Sequence, residues 1–407
     1  MSIDLSTEQR TALNKLWQWL KYHSNAQGYI TLGGYAGTGK TTCLGVFRQF
    51  LHESLPDWNI AFASYTGKAA RVLHQSLKQA KALYPDDHVG TLHSLLYAPL
   101  VGDNQQIISW ERKRSIPYNL IIIDEASMVD YQLWQDIQAF QLPIIAVGDH
   151  GQLPPIHGSF NLMERPVLKL ETIHRQAAEN PIIQLSLQAR TKGVIKPGNY
   201  GSGVKKFSRE DYQAQEFVDS LMQQFSEETL VLCGYNHTRV QLNNAIRLAQ
   251  GFESPDPQPR DRVICLKNNR EKDIYNGMLG TIQHISQESD KWYYAEIVLD
   301  NEDHLYSGLI AIDQFNSKQT LDREQLVIGA KLQQSPSESD KKKKKTLLLG
   351  DVFDFGYAIT VHKAQGSQAK KVLLFEERFK QMDDDMWKRW LYTAVTRAEE
   401  ELYIIGD

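Results

Sequence analysis

Apolar positions along the chain recur with two different periods, and the change of period divides it. Near the start, Leu13, Leu16, Trp17 and Leu20 fall at helical spacing, and Ser6-Thr7-Glu8-Gln9 before them has the form of a capping box. Residues 29–32 (YITL) read as a strand, followed by a glycine-rich turn and a second helix. Residues 60–64 (IAFAS), Leu120 to Ile123 and residues 143–147 (PIIAV) are unbroken apolar runs, as strands covered on both faces should be. Strands alternating with helices predict an α/β fold with a parallel sheet over residues 1–170. Residues 229–247 restart the pattern with a strand and a helix. From about 260 the runs become short (DRVICLKNN, YNGMLGTIQHI, KWYYAEIVLD), and Asn276-Gly277 is a hairpin signal, so a small β insertion is expected. Trp387, Trp390, Leu391, Ala394 and Val395 mark a buried helical face near the end.

Composition changes this picture little. The chain has 407 residues, 42% hydrophobic and 23% charged, with a mean hydropathy of −0.44, which suits a soluble protein of two or three domains. No apolar run approaches the ~18 residues that span a bilayer, and the first residues lack the basic and apolar regions of a secretory signal. The three cysteines, Cys43, Cys233 and Cys265, have no metal spacing and fit a reducing cytoplasm. A net charge of −4 means that any nucleic-acid contact must come from a local groove.

The candidate chemistry begins in the turn. Gly34-Tyr35-Ala36-Gly37-Thr38-Gly39-Lys40-Thr41 fits G-x-x-x-x-G-K-[ST] at every fixed position. Glycines let backbone N–H groups turn around a phosphate at a helix N-terminus, whose dipole favours anions. Gly37, Thr38, Gly39, Lys40, Thr41 and Thr42 are the expected nucleotide contacts, with Lys40 on the β/γ-phosphates and the Thr41 hydroxyl on Mg²⁺. Asp124 and Glu125, emerging from an apolar strand, supply a carboxylate for the Mg²⁺ shell and one to orient and deprotonate water. Gln9 could cap its helix or present its amide to adenine.

Further segments follow in order: SYTGKAARVL (64–73), GTLHSLL (90–96), PIIAVGDHGQLPP (143–155), LETIHRQ (170–176), YAITVHKAQGSQ (357–368) and LYTAVTRA (391–398). Together they resemble the motifs of superfamily 1 helicases, in the 5′-to-3′ branch that holds RecD-like, Pif1-like and phage Dda-like enzymes. The resemblance covers nearly the whole chain. It implies two RecA-like domains with a DNA strand tracked between them, and ATP with Mg²⁺ as cofactors. It implies that Gln9 reads adenine, that Gln152 senses the γ-phosphate, and that Arg175 and Arg397 are the second domain's arginine fingers, with Gly366 also at the nucleotide. Read from residues alone, Arg175 is an ordinary surface arginine and Arg397 a helix-end arginine favoured by the dipole.

The resemblance likewise places Tyr65, Thr66, Lys68, Thr91, His93, Thr360 and His362 on single-stranded DNA. Their hydroxyls, imidazoles and ammonium would grip phosphates without reading sequence; singly, each also reads as a cap, a surface group or a core histidine. Tyr65 stands where the family usually has proline, and Gln368 where it often has glutamate. The expected division is a first core domain over 1–170, with a hairpin at about 97–118 that is either a duplex-splitting pin or a plain surface excursion. A second core covers 171–259 and 346–407, and an SH3-like barrel covers 260–345. Lys341 to Lys345 could brush phosphates or be a solvated loop. A minimal motor is expected, monomeric, in the cytoplasm of a bacterial cell or phage-infected host. Its expected partners are single-stranded DNA and single/double-strand junctions, with replication or repair proteins, and no membrane. An RNA-directed helicase, a clamp that binds strands without unwinding and, more distantly, a small-molecule kinase are the competing functions.

Overall fold

The computed structural model describes residues 5–23, 28–101, 107–155, 160–173, 179–300, 305–322, 324–333 and 344–407. They form two compact units, one of residues 1–211 with 361–407 and the other of residues 212–360.

The first unit runs α1 (Thr7–His23), β1 (Gly28–Gly34), α2 (Lys40–Ser54), β2 (Ile60–Ser64), α3 (Gly67–Gln79), β3 (His88–Thr91) and the short α4 (Leu92–Leu96). An antiparallel hairpin of β4 (Tyr97–Val101) and β5 (Ile107–Arg112) precedes β6 (Leu120–Asp124), α5 (Tyr131–Gln138), β7 (Pro143–Gly148) and β8 (Leu168–Leu170). A six-stranded parallel sheet has the order β3-β2-β6-β7-β1-β8. Alternate residues of its strands feed two different cores. Leu32, Phe62, Ile122 and Val147 pack with α1, α2 and α3, whereas Ala63, Ile123 and Ala146 pack with α4 and α5. That two-sided burial is why these strands read as unbroken apolar runs.

Register then aligns the chemistry. Gly33 is opposite Gly148 on β7, and Ser64 is opposite both Thr91 and Asp124. The ends of β1, β2, β6 and β7 therefore open at one rim of the sheet, where open α/β folds bind ligands. The rest of this stretch comprises α6 (Pro181–Lys192), β9 (Gly198–Gly201) and β10 (Val204–Phe207).

The second unit begins with α7 (Tyr212–Gln223), β11 (Thr229–Cys233) and α8 (Asn236–Ala249). An antiparallel sheet follows, built of β12 (Arg262–Cys265), β13 (Leu279–Gln287), β14 (Trp292–Leu299) and β15 (Leu305–Ala311). After a separate two-stranded pair, β16 (Val327–Gln333) and β17 (Lys344–Leu349), β18 (Phe353–Phe355) completes the sheet beside β12. β19 (Ala358–Thr360) lies parallel to β11. The sheet has its own core of Val263, Ile282, Ile297, Tyr306 and Phe353. Asn276-Gly277 is not the two-residue hairpin link its sequence suggested: it lies in the 266–278 connection between β12 and β13, with Gly277 at φ 94° donating from its N–H to Cys265 O.

The chain then returns to the first unit with β20 (Ala369–Phe375), α9 (Asp384–Val395) and β21 (Ala398–Ile405). There β20 and β10 flank β21 in parallel, and β9 is antiparallel to β10. Among the described residues no helix is long and apolar enough to cross a membrane.

Candidate active site

The glycine-rich loop joins β1 to α2. Gly37 and Gly39 take left-handed φ values of 78° and 76°, which explains glycine at both positions. Gly39 caps α2 with no side-chain hydrogen bond, so first-turn N–H groups are left for an anion. Lys40 folds back over the loop, its Nζ donating to Gly34 O at 2.7 Å and Tyr35 O at 3.1 Å. It also stands 4.0 Å from Asp149 Oδ2. Thr38 Oγ1 donates to Tyr35 O at 2.8 Å. Thr41 and Thr42 occupy the first turn of α2.

Gln9 is buried and reaches the same loop. Its Oε1 accepts from Ser6 N at 3.0 Å while Ser6 Oγ accepts from Gln9 N at 3.2 Å, so the capping box is made. Its Nε2 donates to Thr38 O at 3.0 Å. Helix cap and phosphate loop are thus tied by one amide.

The acids sit at the ends of β6 and β7. Burial, then the neighbouring Glu125 charge, push the Asp124 carboxyl up to about 7, with Lys40 pulling it down. Glu125 is held at φ 54°, a conformation that costs a non-glycine residue about 1–3 kcal/mol, and its Oε2 is buried without a hydrogen-bond partner. Asp149 is almost completely buried and accepts from Gly151 N at 2.9 Å and Tyr392 Oη at 2.6 Å. Gln152 Nε2 lies 3.5 Å from Asp149 Oδ2, and its Oε1 is buried and unpartnered.

Side chains of α6 and α9 reach across to this rim. Ala36 N donates to Tyr392 Oη at 2.8 Å. Arg389 Nη1 donates to His150 O at 2.7 Å and Gln152 O at 3.0 Å, and Leu153 N donates to Thr393 Oγ1 at 2.9 Å. Arg190 places its guanidinium 3.6 Å from the centre of the Tyr35 ring. Arg397 is buried, its Nε donating to Thr393 O at 2.9 Å and its Nη1 to Ser367 O at 3.1 Å. Burial pulls its pKa down, while Glu125 and Asp149 favour the charge. Arg175 lies outside the described residues.

Of the residues expected on a strand, all but Thr360 lie in the first unit. Thr66 caps α3 by accepting from Ala69 N at 3.2 Å, and Lys68 Nζ donates to Gln368 O. Gly366, at φ 74°, stands so close that a Cβ there would come within 3.0 Å of Thr66 Cγ2 and Met128 Sδ. Thr91 caps α4 by accepting from Ser94 N at 3.1 Å. His93, buried, packs 6.2 Å from Tyr65 and 5.9 Å from Tyr97 between ring centres. His362 is stacked on Phe379, and burial lowers its pKa. Thr360 ends β19 in the second unit. Of Lys341 to Lys345, the first three lie outside the described residues, and Lys344 and Lys345 are in β17.

Residues 4–202 match the AAA domain family and residues 355–405 the UvrD-like helicase C-terminal domain family. The ATP-dependent RecD2 DNA helicase of Deinococcus radiodurans is 25% identical over 99% of this chain and 49% of its own length. The RecBCD enzyme subunit RecD of Mycobacterium tuberculosis is 27% identical over 94% of this chain and 67% of its own. The chain carries the AAA and UvrD-like helicase C-terminal domains of a superfamily 1 helicase and resembles RecD proteins over nearly its whole length. It spans about half the length of the Deinococcus relative. Its fold is that of a Bacteroides Pif1 helicase solved with ADP-AlF3 and ssDNA, at a TM-score of 0.50, 18% identity and coverage of 99% of this chain and 92% of that one.

Among the residues gathered at this rim, sequence reasoning missed Asp149, Arg190, Arg389 and Tyr392. Asp149 carried a signal, since like Asp124 it follows an unbroken apolar strand. Tyr392 was hidden inside the apolar stripe of α9, where an aromatic residue counts as core whether or not its hydroxyl has a task.

Proposed function

We propose that this chain is an ATP-driven DNA helicase or translocase that loads on single strands and moves 5′ to 3′. The observation that carries the reading is that Tyr392 and Arg389, from the helix leading to Arg397, bond to the loops at the ends of β1 and β7. Such a seam lets phosphate chemistry and domain closure proceed as one event.

In this reading Lys40 and the N-terminus of α2 bind the phosphates, and Gln9 orients the base. Asp124, its charge penalised by burial, and Glu125, with an unpartnered Oε2, form a hard oxygen donor set that suits Mg²⁺. Thr41 and Asp124 would hold that ion, which would neutralise charge between the phosphates. Glu125 takes the proton of the attacking water. Gln152 senses the γ-phosphate, and Arg397 and Arg175 stabilise the charge that develops on it. Tyr65, Thr66, Lys68, Thr91, His93, Thr360 and His362 hold the strand. Residues 1–170 form the first core and 171–259 with 346–407 the second. The hairpin of β4 and β5 serves as a pin, and 260–345 borders the strand.

The test is unwinding of forked duplexes with ATP and Mg²⁺. Displacement should require a 5′ tail, and poly-dT should stimulate ATP hydrolysis more than poly-U does. A requirement for a 3′ tail would overturn the polarity, and stronger stimulation by poly-U the DNA preference. ATP hydrolysis without displacement would favour a clamp.

A further inference from the structure

The backbone N–H of Ala36, third residue of the phosphate loop, donates to Tyr392 Oη at 2.8 Å, and that hydroxyl donates in turn to Asp149 Oδ2 at 2.6 Å. A loop of this type binds phosphates with such N–H groups, and one N–H cannot serve a phenol and a phosphate oxygen at full strength. Lys40, the loop's other anion-binding group, is likewise held by the protein's own oxygens, Gly34 O and Tyr35 O.

The phenol has no slack in which to linger. Tyr392 is fully buried, and its ring lies edge-on to Tyr35 at 6.1 Å. Gly151 is packed so tightly here that a Cβ would come within 3.0 Å of both rings. A phosphate that takes the Ala36 N–H must therefore move the phenol, and with it α9.

We propose that Tyr392 is a phosphate-displaced plug, whose hydroxyl holds the Ala36 N–H in competition with nucleotide and whose movement passes phosphate occupancy to the helix preceding Arg397. This rests on the reading of the glycine-rich loop as an ATP site. Tyr392 acts by positioning. The plug sets nucleotide affinity through the hydrogen bond that binding must break, and it links that break to the finger arginine.

Removing only the hydroxyl tests the idea. Tyr392→Phe should bind ATP and ADP about five-fold more tightly than the unmodified chain, the worth of one net hydrogen bond no longer broken on binding. Binding is read by equilibrium competition with a fluorescent nucleotide in the absence of DNA. Adenosine, which has no phosphate, should gain nothing. Unchanged or weaker ATP binding by a folded Tyr392→Phe chain overturns the proposal, as does an equal gain for adenosine, which would mark general loosening. If the unmodified chain binds no ATP, the ATP-site reading itself fails. Should Tyr392→Phe not fold, 3-fluorotyrosine at position 392 supplies the second measurement. Its ¹⁹F resonance should shift with ATP and stay in place with adenosine; no shift at saturating ATP overturns the plug.

Discussion

Arg397 illustrates how a side chain can be poised and restrained together. Its donors rest on Thr393 O and Ser367 O, while Glu125 and Asp149 favour its charge from the other side. If it is the finger, Arg397→Ala should keep nucleotide affinity close to that of the parent and lose about 10³-fold or more in kcat. Steady-state ATPase kinetics beside equilibrium nucleotide binding measure the two separately, and an unchanged kcat would remove the assignment. Residues differ in how openly the sequence declares them. Lys40, Gly37 and Gly39 are legible because backbone conformation and charge leave few other residues for those positions. Arg397 is not, because a helix-end arginine and a finger look the same until the opposite wall is known. Gln9 makes the capping box through Oε1, and its Nε2 is bonded to the phosphate loop at Thr38 O.

Elements were legible in proportion to their periodicity. Strands β1, β2, β6 and β7 are covered on both faces, so their apolar runs mark them clearly. β9 and β10 are four residues each in a stretch rich in glycine and lysine, GNYGSGVKKF, which offers neither alternation nor a run. The helices that carry the second wall depend on their ends. Asp383 caps α9 by accepting from Met386 N at 2.7 Å, so Asp383→Ala should cost about 1 kcal/mol. Gly193 ends α6 at φ 68°, and a Cβ there would come within 3.3 Å of Trp387. Gly193→Ala should therefore cost about 1–3 kcal/mol, combining backbone strain with the crowded contact. Both changes are read from urea unfolding, and a neutral Gly193→Ala would mean that the α6–α9 contact is looser than its geometry.

At the scale of the whole molecule, buried ion pairs join pieces distant in sequence. In the first unit Lys206, on β10, pairs with Glu376, just beyond β20, and its Nζ also donates to Asp407 O at 2.9 Å. Lys206→Met would leave the carboxylate buried without its cation, at a cost of about 3–5 kcal/mol near neutral pH. Burial already raises the Glu376 pKa above its ordinary value against the pull of Lys206. Without Lys206 it rises further. A carboxyl whose folded pKa is raised gives stability that is present below its unfolded pKa and lost as pH climbs through the folded one. The deficit of Lys206→Met relative to the parent should thus shrink as pH falls toward 4.5, the group's ordinary value. Denaturant midpoints of both chains between neutral pH and that limit measure it, and a constant difference would show that Glu376 is not the group in play.

In the second unit, Arg247 pairs with Asp261 at 2.8 Å, Tyr357 donates to Asp261 at 2.8 Å, and Gly356 N donates to Arg262 O at 2.9 Å. The outgoing and returning chains are buckled together where the antiparallel strands begin and finish. Arg239, on α8, ties the same stretch down a second time, donating to Asp354 Oδ2 at 2.7 Å and to Ser317 O at 2.6 Å. Lengthening the turn between β13 and β14 should leave α8, β11 and β19 undisturbed, because neither tie runs through it.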